Sequence, residues 1–111
     1  MPPREWRLRV EDILEAIAKI ERYIEGLTYE QFQADQKSVD AVVRNLEVIG
    51  EAVRHLTSAV EDLPPGVPWL DIAGMRNILI HEYFGVDLNI IWQTVRQDLP
   101  ELRTQLQRAI S

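Results

Sequence analysis

The 111-residue chain contains no cysteine, two histidines, two methionines and only 7% aromatic residues. Without cysteine there are no disulfides, no thiolate zinc sites and no cysteine nucleophile. That usage also fits an intracellular protein. Basic charge is scarce as well: 12 lysines and arginines face 18 acidic residues, for a net charge of −6. Broad electrostatic capture of nucleic acid or of an anionic membrane needs a basic face. Any polyanionic ligand must therefore find a small local cleft. Long apolar runs are missing too, since none approaches the roughly 18 residues of a membrane span. The start, Met1-Pro2-Pro3-Arg4-Glu5-Trp6, lacks the apolar core of a signal peptide. Together these absences predict a soluble, cytoplasmic protein.

What is present is globular. Hydrophobic residues make up 46% of the chain against 27% charged, too apolar for global disorder. The length suits one domain over 1–111 with a single core. No segment alternates as a strand would. Instead, Trp6, Val10, Ile13, Ile17, Ile20 and Ile24 step by three and four, lining one helix face, with Leu8 and Leu14 widening the stripe and Gly26 ending it. Thr28 and Gln31 have the spacing of a capping box ahead of one or two helical turns. A second stripe runs through Val39, Val42, Val43, Leu46, Ile49, Val53 and Leu56, with Asp35 or Ser38 as its cap. Gly50 lies inside it, where close packing against another helix would excuse the missing side chain.

Leu63-Pro64-Pro65-Gly66-Val67-Pro68 has to be a loop, because its prolines lack amide donors. A third helix should start near Pro68 or Trp69 and run to about Tyr83, with Ile72, Met75 and Leu79 inward and Gly85 as its stop. Asp87 can cap a fourth, burying Ile91, Trp92, Val95 and Leu99. Pro100 should kink that helix before Leu102, Leu106 and Ile110 continue its stripe. The expected architecture is an all-α antiparallel bundle of four main helices.

Each histidine can be weighed separately. Glu47, Glu51 and His55 recur every four residues, a spacing that would put two metal ligands on one helix. Carboxylate-bridged bundles use Glu-x-x-His instead. A solvated charged face ending in a histidine favoured by the helix dipole is the better reading. His81 stands in Arg76-Asn77-Ile78-Leu79-Ile80-His81-Glu82-Tyr83. On a helix Asn77 and His81 stack, Arg76 and Tyr83 share a side, and Arg76 and His81 diverge by about 140°. Taken singly, Arg76 would pair with Glu51 or Glu82, His81 would be structural, and Tyr83 a core or interface aromatic. Arg44-Asn45-Leu46 echoes Arg76-Asn77-Ile78.

The segment Arg76-x4-His81-x-Tyr83 resembles the signature of the HepT-like toxins, small helical ribonucleases of the HEPN superfamily. Arg44-Asn45-Leu46-Glu47-Val48-Ile49-Gly50-Glu51-Ala52 resembles the family's second-helix motif. So do Pro68-Trp69, Val86-Asp87, Ile91-Trp92 and Leu99-Pro100, in the same order along essentially the whole chain. The resemblance implies a HEPN-like helical dimer whose two signatures meet in a shared cleft, and RNA cleavage without metal or other cofactor. It also implies a minimal nucleotidyltransferase antitoxin that transfers AMP from ATP to the tyrosine of the signature, Tyr83 here. Arg76 and His81 are then the catalytic pair, with Asn77 in support.

The chemistry of the residues agrees with this. Histidine titrates near neutrality and can act as base or acid on a 2′-hydroxyl. Arginine keeps its charge and matches phosphate oxygens with its planar fork. Asn77 could orient His81 by a hydrogen bond, and two chains would supply two of each residue, making a local basic cleft on an acidic body. Two other classes stand against this reading. One is a non-enzymatic HEPN-like module that docks a nucleotidyltransferase or nucleotide, and the other is a purely structural helical adaptor.

Overall fold

A computed structural model describes residues 6–56, 61, 63–81 and 87–111, without the side chains of Arg76, Ile78, Ile80 and His81. The expectations placed on Tyr83 and Gly85 fall outside the described residues. The described residues form helices and connecting turns, with no strand among them.

The first stripe becomes α1, Trp6–Ile24, with Val10, Ile13, Ile17, Ile20 and Ile24 buried. Leu8 does not widen that stripe: it is 62% exposed, because it lies half a turn from the buried line. Gly26 takes a left-handed backbone (φ +76°), and the Leu27 amide turns back onto the Ile24 carbonyl at 3.0 Å. A glycine adopts that conformation without steric cost, so the helix stops there. Both halves of the capping box then form. The Thr28 amide donates to Gln31 Oε1 at 2.9 Å and the Gln31 amide to Thr28 Oγ1 at 3.2 Å. They open α2, Tyr29–Ala34.

Helix α3, Gln36–Arg54, buries the expected stripe from Val39 to Val53 with Gly50, and ends before Leu56, which is buried in the turn that follows. Asp35 is its N-cap residue, yet its carboxylate takes the Ser38 hydroxyl (2.8 Å) rather than a backbone amide. That hydrogen bond lowers the Asp35 pKa below its ordinary value of 3.8. After the proline loop comes α4, Trp69–His81, which packs extensively on α3. Asp87 caps α5, Leu88–Gln93, by accepting the Asn89 amide at 2.8 Å.

The irregularity expected at Pro100 takes the form of one wide turn. Thr94–Asp98 is π-helical, and the Leu99 amide donates to the Thr94 carbonyl five residues back. Proline has no amide to give and its ring crowds the carbonyl four residues earlier, so the hydrogen-bond ladder shifts by one residue ahead of it. Helix α6, Leu99–Ile110, then runs on with Leu102 and Leu106 buried.

The bundle is antiparallel at its seam between α1 and α6. Arg7 near the start of one donates to the Ile110 carbonyl at the end of the other, and Glu21 meets Arg103 farther along. Short α2 is pinned by aromatics: the half-buried Trp92 ring lies 5.1 Å from Phe32 and 6.2 Å from Tyr29.

Candidate functional site

The helix that carries the signature is anchored at its N-terminus. Pro68 leads into α4, the Ile72 amide reaches back to the Pro68 carbonyl (3.1 Å), and buried Trp69 donates its indole N–H to the Pro64 carbonyl (3.1 Å). Gly66, at φ +92°, supplies the reversal within the loop. Helix α4 is therefore aimed by a proline-stiffened turn.

Along α4, Trp69 and Leu79 are buried and Ile72 and Met75 half-buried. Leu70, Gly74 and Asn77 are exposed. Steps of four and three residues separate these three, so they form one open stripe, and one more step of four reaches His81. Arg76 falls instead in helical register with Trp69, Ile72 and Leu79. Of the residues predicted to do chemistry, Asn77 is thus on the open face and His81 is one turn beyond it. By register Arg76 is about 100° round the helix from Asn77 and about 140° from His81, and Tyr83 lies outside the described residues.

The open stripe borders an apolar groove of about 420 Å³ between α4 and α5. Leu46, Met75, Leu79 and Ile91 contribute to its walls, and Leu70 and Ile90 stand at it 63% and 60% exposed. A Cβ placed on Gly74 would meet no atom within 4 Å. This groove was not foreseen from the sequence. Apolar residues occur on every side of α4, so periodicity alone did not mark an uncovered face.

The other histidine is accounted for locally. His55 Nε2 lies 3.3 Å from Glu51 Oε1, Arg54 lies 3.7 Å from the other oxygen of Glu51, and Arg44 lies 3.9 Å from Glu47. This is the charged helix face expected for that line of residues. Among the described residues no three carboxylates or histidines converge as metal ligands, and no helix is long and apolar enough to cross a membrane. Asn45, in the echo of the signature, spends its amide on the Ala41 carbonyl of its own helix (2.8 Å).

Comparison with known proteins agrees with the resemblance. The sequence model of the family described as "Ribonuclease HepT-like" matches residues 13–109. A protein of Thermococcus cleftensis, named as a probable ribonuclease HepT, is 42% identical over 89% of this chain and 90% of its own length. A candidate RNase of Caldanaerobacter subterraneus subsp. tengcongensis is also 42% identical, over 91% of this chain and 90% of its own. A third relative, named as a candidate RNase in Methanocaldococcus jannaschii, is 38% identical over 99% and 91%. No solved structure matches the chain.

Proposed function

The chain belongs to the HepT-like ribonuclease family, and from that membership we propose that it is the toxin of a toxin–antitoxin pair, a metal-independent endoribonuclease of the cytoplasm. The observation that carries this reading is the coincidence of family and signature. The matched span, 13–109, encloses Arg76, Asn77, His81 and Tyr83 at the spacing the resemblance calls for.

In this reading the RNA 2′-hydroxyl attacks the adjacent phosphorus. One His81 takes the hydroxyl proton as the new O–P bond forms. As the bond to the 5′-oxygen breaks, a second His81, from the other chain, returns a proton to the leaving oxygen. Arg76 holds the phosphate oxygens, and Asn77, one turn before His81, orients its imidazole. A homodimer is supported by the register of α4, which sets Arg76 and His81 on different sides of one helix, so that two chains serve the site better than one. It is also supported by Leu70, on the open stripe, and Ile90 across the groove, both exposed, since uncovered apolar surface of this kind commonly marks a contact.

Control runs through Tyr83. A minimal nucleotidyltransferase, the antitoxin, moves AMP from ATP to the phenolic oxygen and pyrophosphate leaves. The added phosphodiester charge and nucleotide bulk then engage Arg76 in place of RNA. Incubation with the neighbouring nucleotidyltransferase, ATP and Mg²⁺ should add AMP masses to the wild type and silence it. Tyr83→Phe should keep cleaving RNA and gain no mass. AMP on the Tyr83→Phe chain, or cleavage by the modified wild type, contradicts this control. A chain that binds the transferase but never cuts RNA would instead be the non-enzymatic docking module.

A further inference from the structure

Trp92 is fixed by aromatic packing. Its half-buried ring lies 5.1 Å from buried Phe32 and 6.2 Å from Tyr29, which ties α5 to α2. One turn later, in the wide turn Thr94–Asp98, exposed Arg96 holds its guanidinium carbon 5.5 Å from the centre of the same ring. A ring face attracts a cation through its quadrupole and cancels none of its charge. Lys19, Arg44, Arg54 and Arg103 differ, because each lies against a glutamate that offsets it. None of Tyr29, Phe32, Trp92 and Arg96 lines the α4–α5 groove, whose wall on this side is Ile90, Ile91 and Thr94. The surface given to a second copy is therefore not the one that carries this stack.

On a chain of net charge −6, an exposed arginine held in this way is a local positive point for a polyanion. The edge of a guanidinium matches phosphate oxygens with two parallel hydrogen bonds. Its plane, like an indole, is a surface on which an unpaired base stacks. Phosphate and base are the two ends of a nucleotide, and one side chain on a rigid aromatic support offers a contact to each. An acidic peptide would use the edge and leave the plane idle. We propose that Arg96, seated on Trp92, binds a nucleotide of single-stranded RNA flanking the bond that is cut. It rests on the ribonuclease reading and adds a place where the strand is gripped beyond the signature, with no part in moving a proton.

The test pairs cleavage kinetics on single-stranded RNA with fluorescence anisotropy on a labelled 2′-O-methyl RNA oligomer, which cannot be cut. Arg96→Met keeps an unbranched stem over the indole and removes the fork and its charge. It should raise both Kd and KM about tenfold, with kcat near the wild-type value. The slope of log Kd against log salt should fall by about 0.7, the share of one phosphate on a single strand. Arg96→Lys keeps the charge without the plane, so its Kd should lie between the two, and it stands in if Arg96→Met does not fold. Arg22, exposed near the end of α1, is the control: Arg22→Met should leave Kd and slope as in the wild type. Wild-type Kd in the Arg96 variants, equal loss in Arg22→Met, or weakening only towards the neighbouring nucleotidyltransferase overturns the RNA contact alone. A wild type that neither binds nor cuts RNA overturns the ribonuclease reading and this contact with it.

Discussion

Arg103 Nη1 donates to both carboxylate oxygens of Glu21, bridging the last helix to the first across 82 residues of sequence. The side chains are 39% and 30% exposed, so solvent screens much of the attraction. Arg103→Met should therefore cost only about 1 kcal/mol in a urea melt, with the loss shrinking as salt is added. RNA cleavage should be unaffected, because the bridge joins α6 to α1 and does not involve the signature helix.

Asp35 and Ser38 provide a test by pH. The Ser38 hydroxyl favours the ionised carboxylate and depresses its pKa in the folded chain. A depressed folded value contributes stability above the unfolded value, and that contribution disappears as pH falls through the folded one. The stability gap between wild type and Ser38→Ala should thus be full at neutral pH and narrow below about 3.8. An NMR titration should show the Asp35 pKa rising when the hydroxyl is removed.

Gly74 separates the needs of the fold from those of assembly. It is exposed within α4, and a Cβ there meets nothing within 4 Å. Gly74→Ala should stabilise the monomer by about 0.5–1 kcal/mol through helix propensity alone. Circular-dichroism melts at low concentration would read this gain.

Leu70→Glu and Ile90→Glu address the uncovered groove directly. Each replaces an exposed side chain, so helicity should persist. If a second copy covers this face, sedimentation should shift toward monomer at micromolar concentration and RNA cleavage should fall with it. A monomeric wild type with full activity would contradict the shared cleft.

The helical class and most of the core were legible in the sequence because burial follows a simple period. Every residue of the Val39–Val53 stripe is buried, and the caps at Thr28 and Asp87 form as their spacing foretold. Local chemistry decides such features. Leu8 is the exception, since it lies half a turn from the buried line and stays exposed. Pro100 announced an interruption, but not that the strain would be taken up upstream as the wide turn Thr94–Asp98. The candidate site divided along the same line. Register placed Asn77 and His81 on one face of α4, whereas the groove beside them arises from how α5 sits against that helix, which no local pattern encodes.

The central claim is that His81 and Arg76 cut RNA without a metal, and product analysis tests it most directly. Purified wild type is incubated with RNA and with the matching DNA in excess EDTA, beside His81→Ala and Arg76→Ala chains of unchanged helicity. The account predicts that the wild type cuts only RNA and leaves 2′,3′-cyclic phosphate ends, because DNA lacks the attacking hydroxyl. Each variant should lose cleavage by at least about a hundredfold. Cleavage that stops in EDTA, or that survives in His81→Ala, would contradict it.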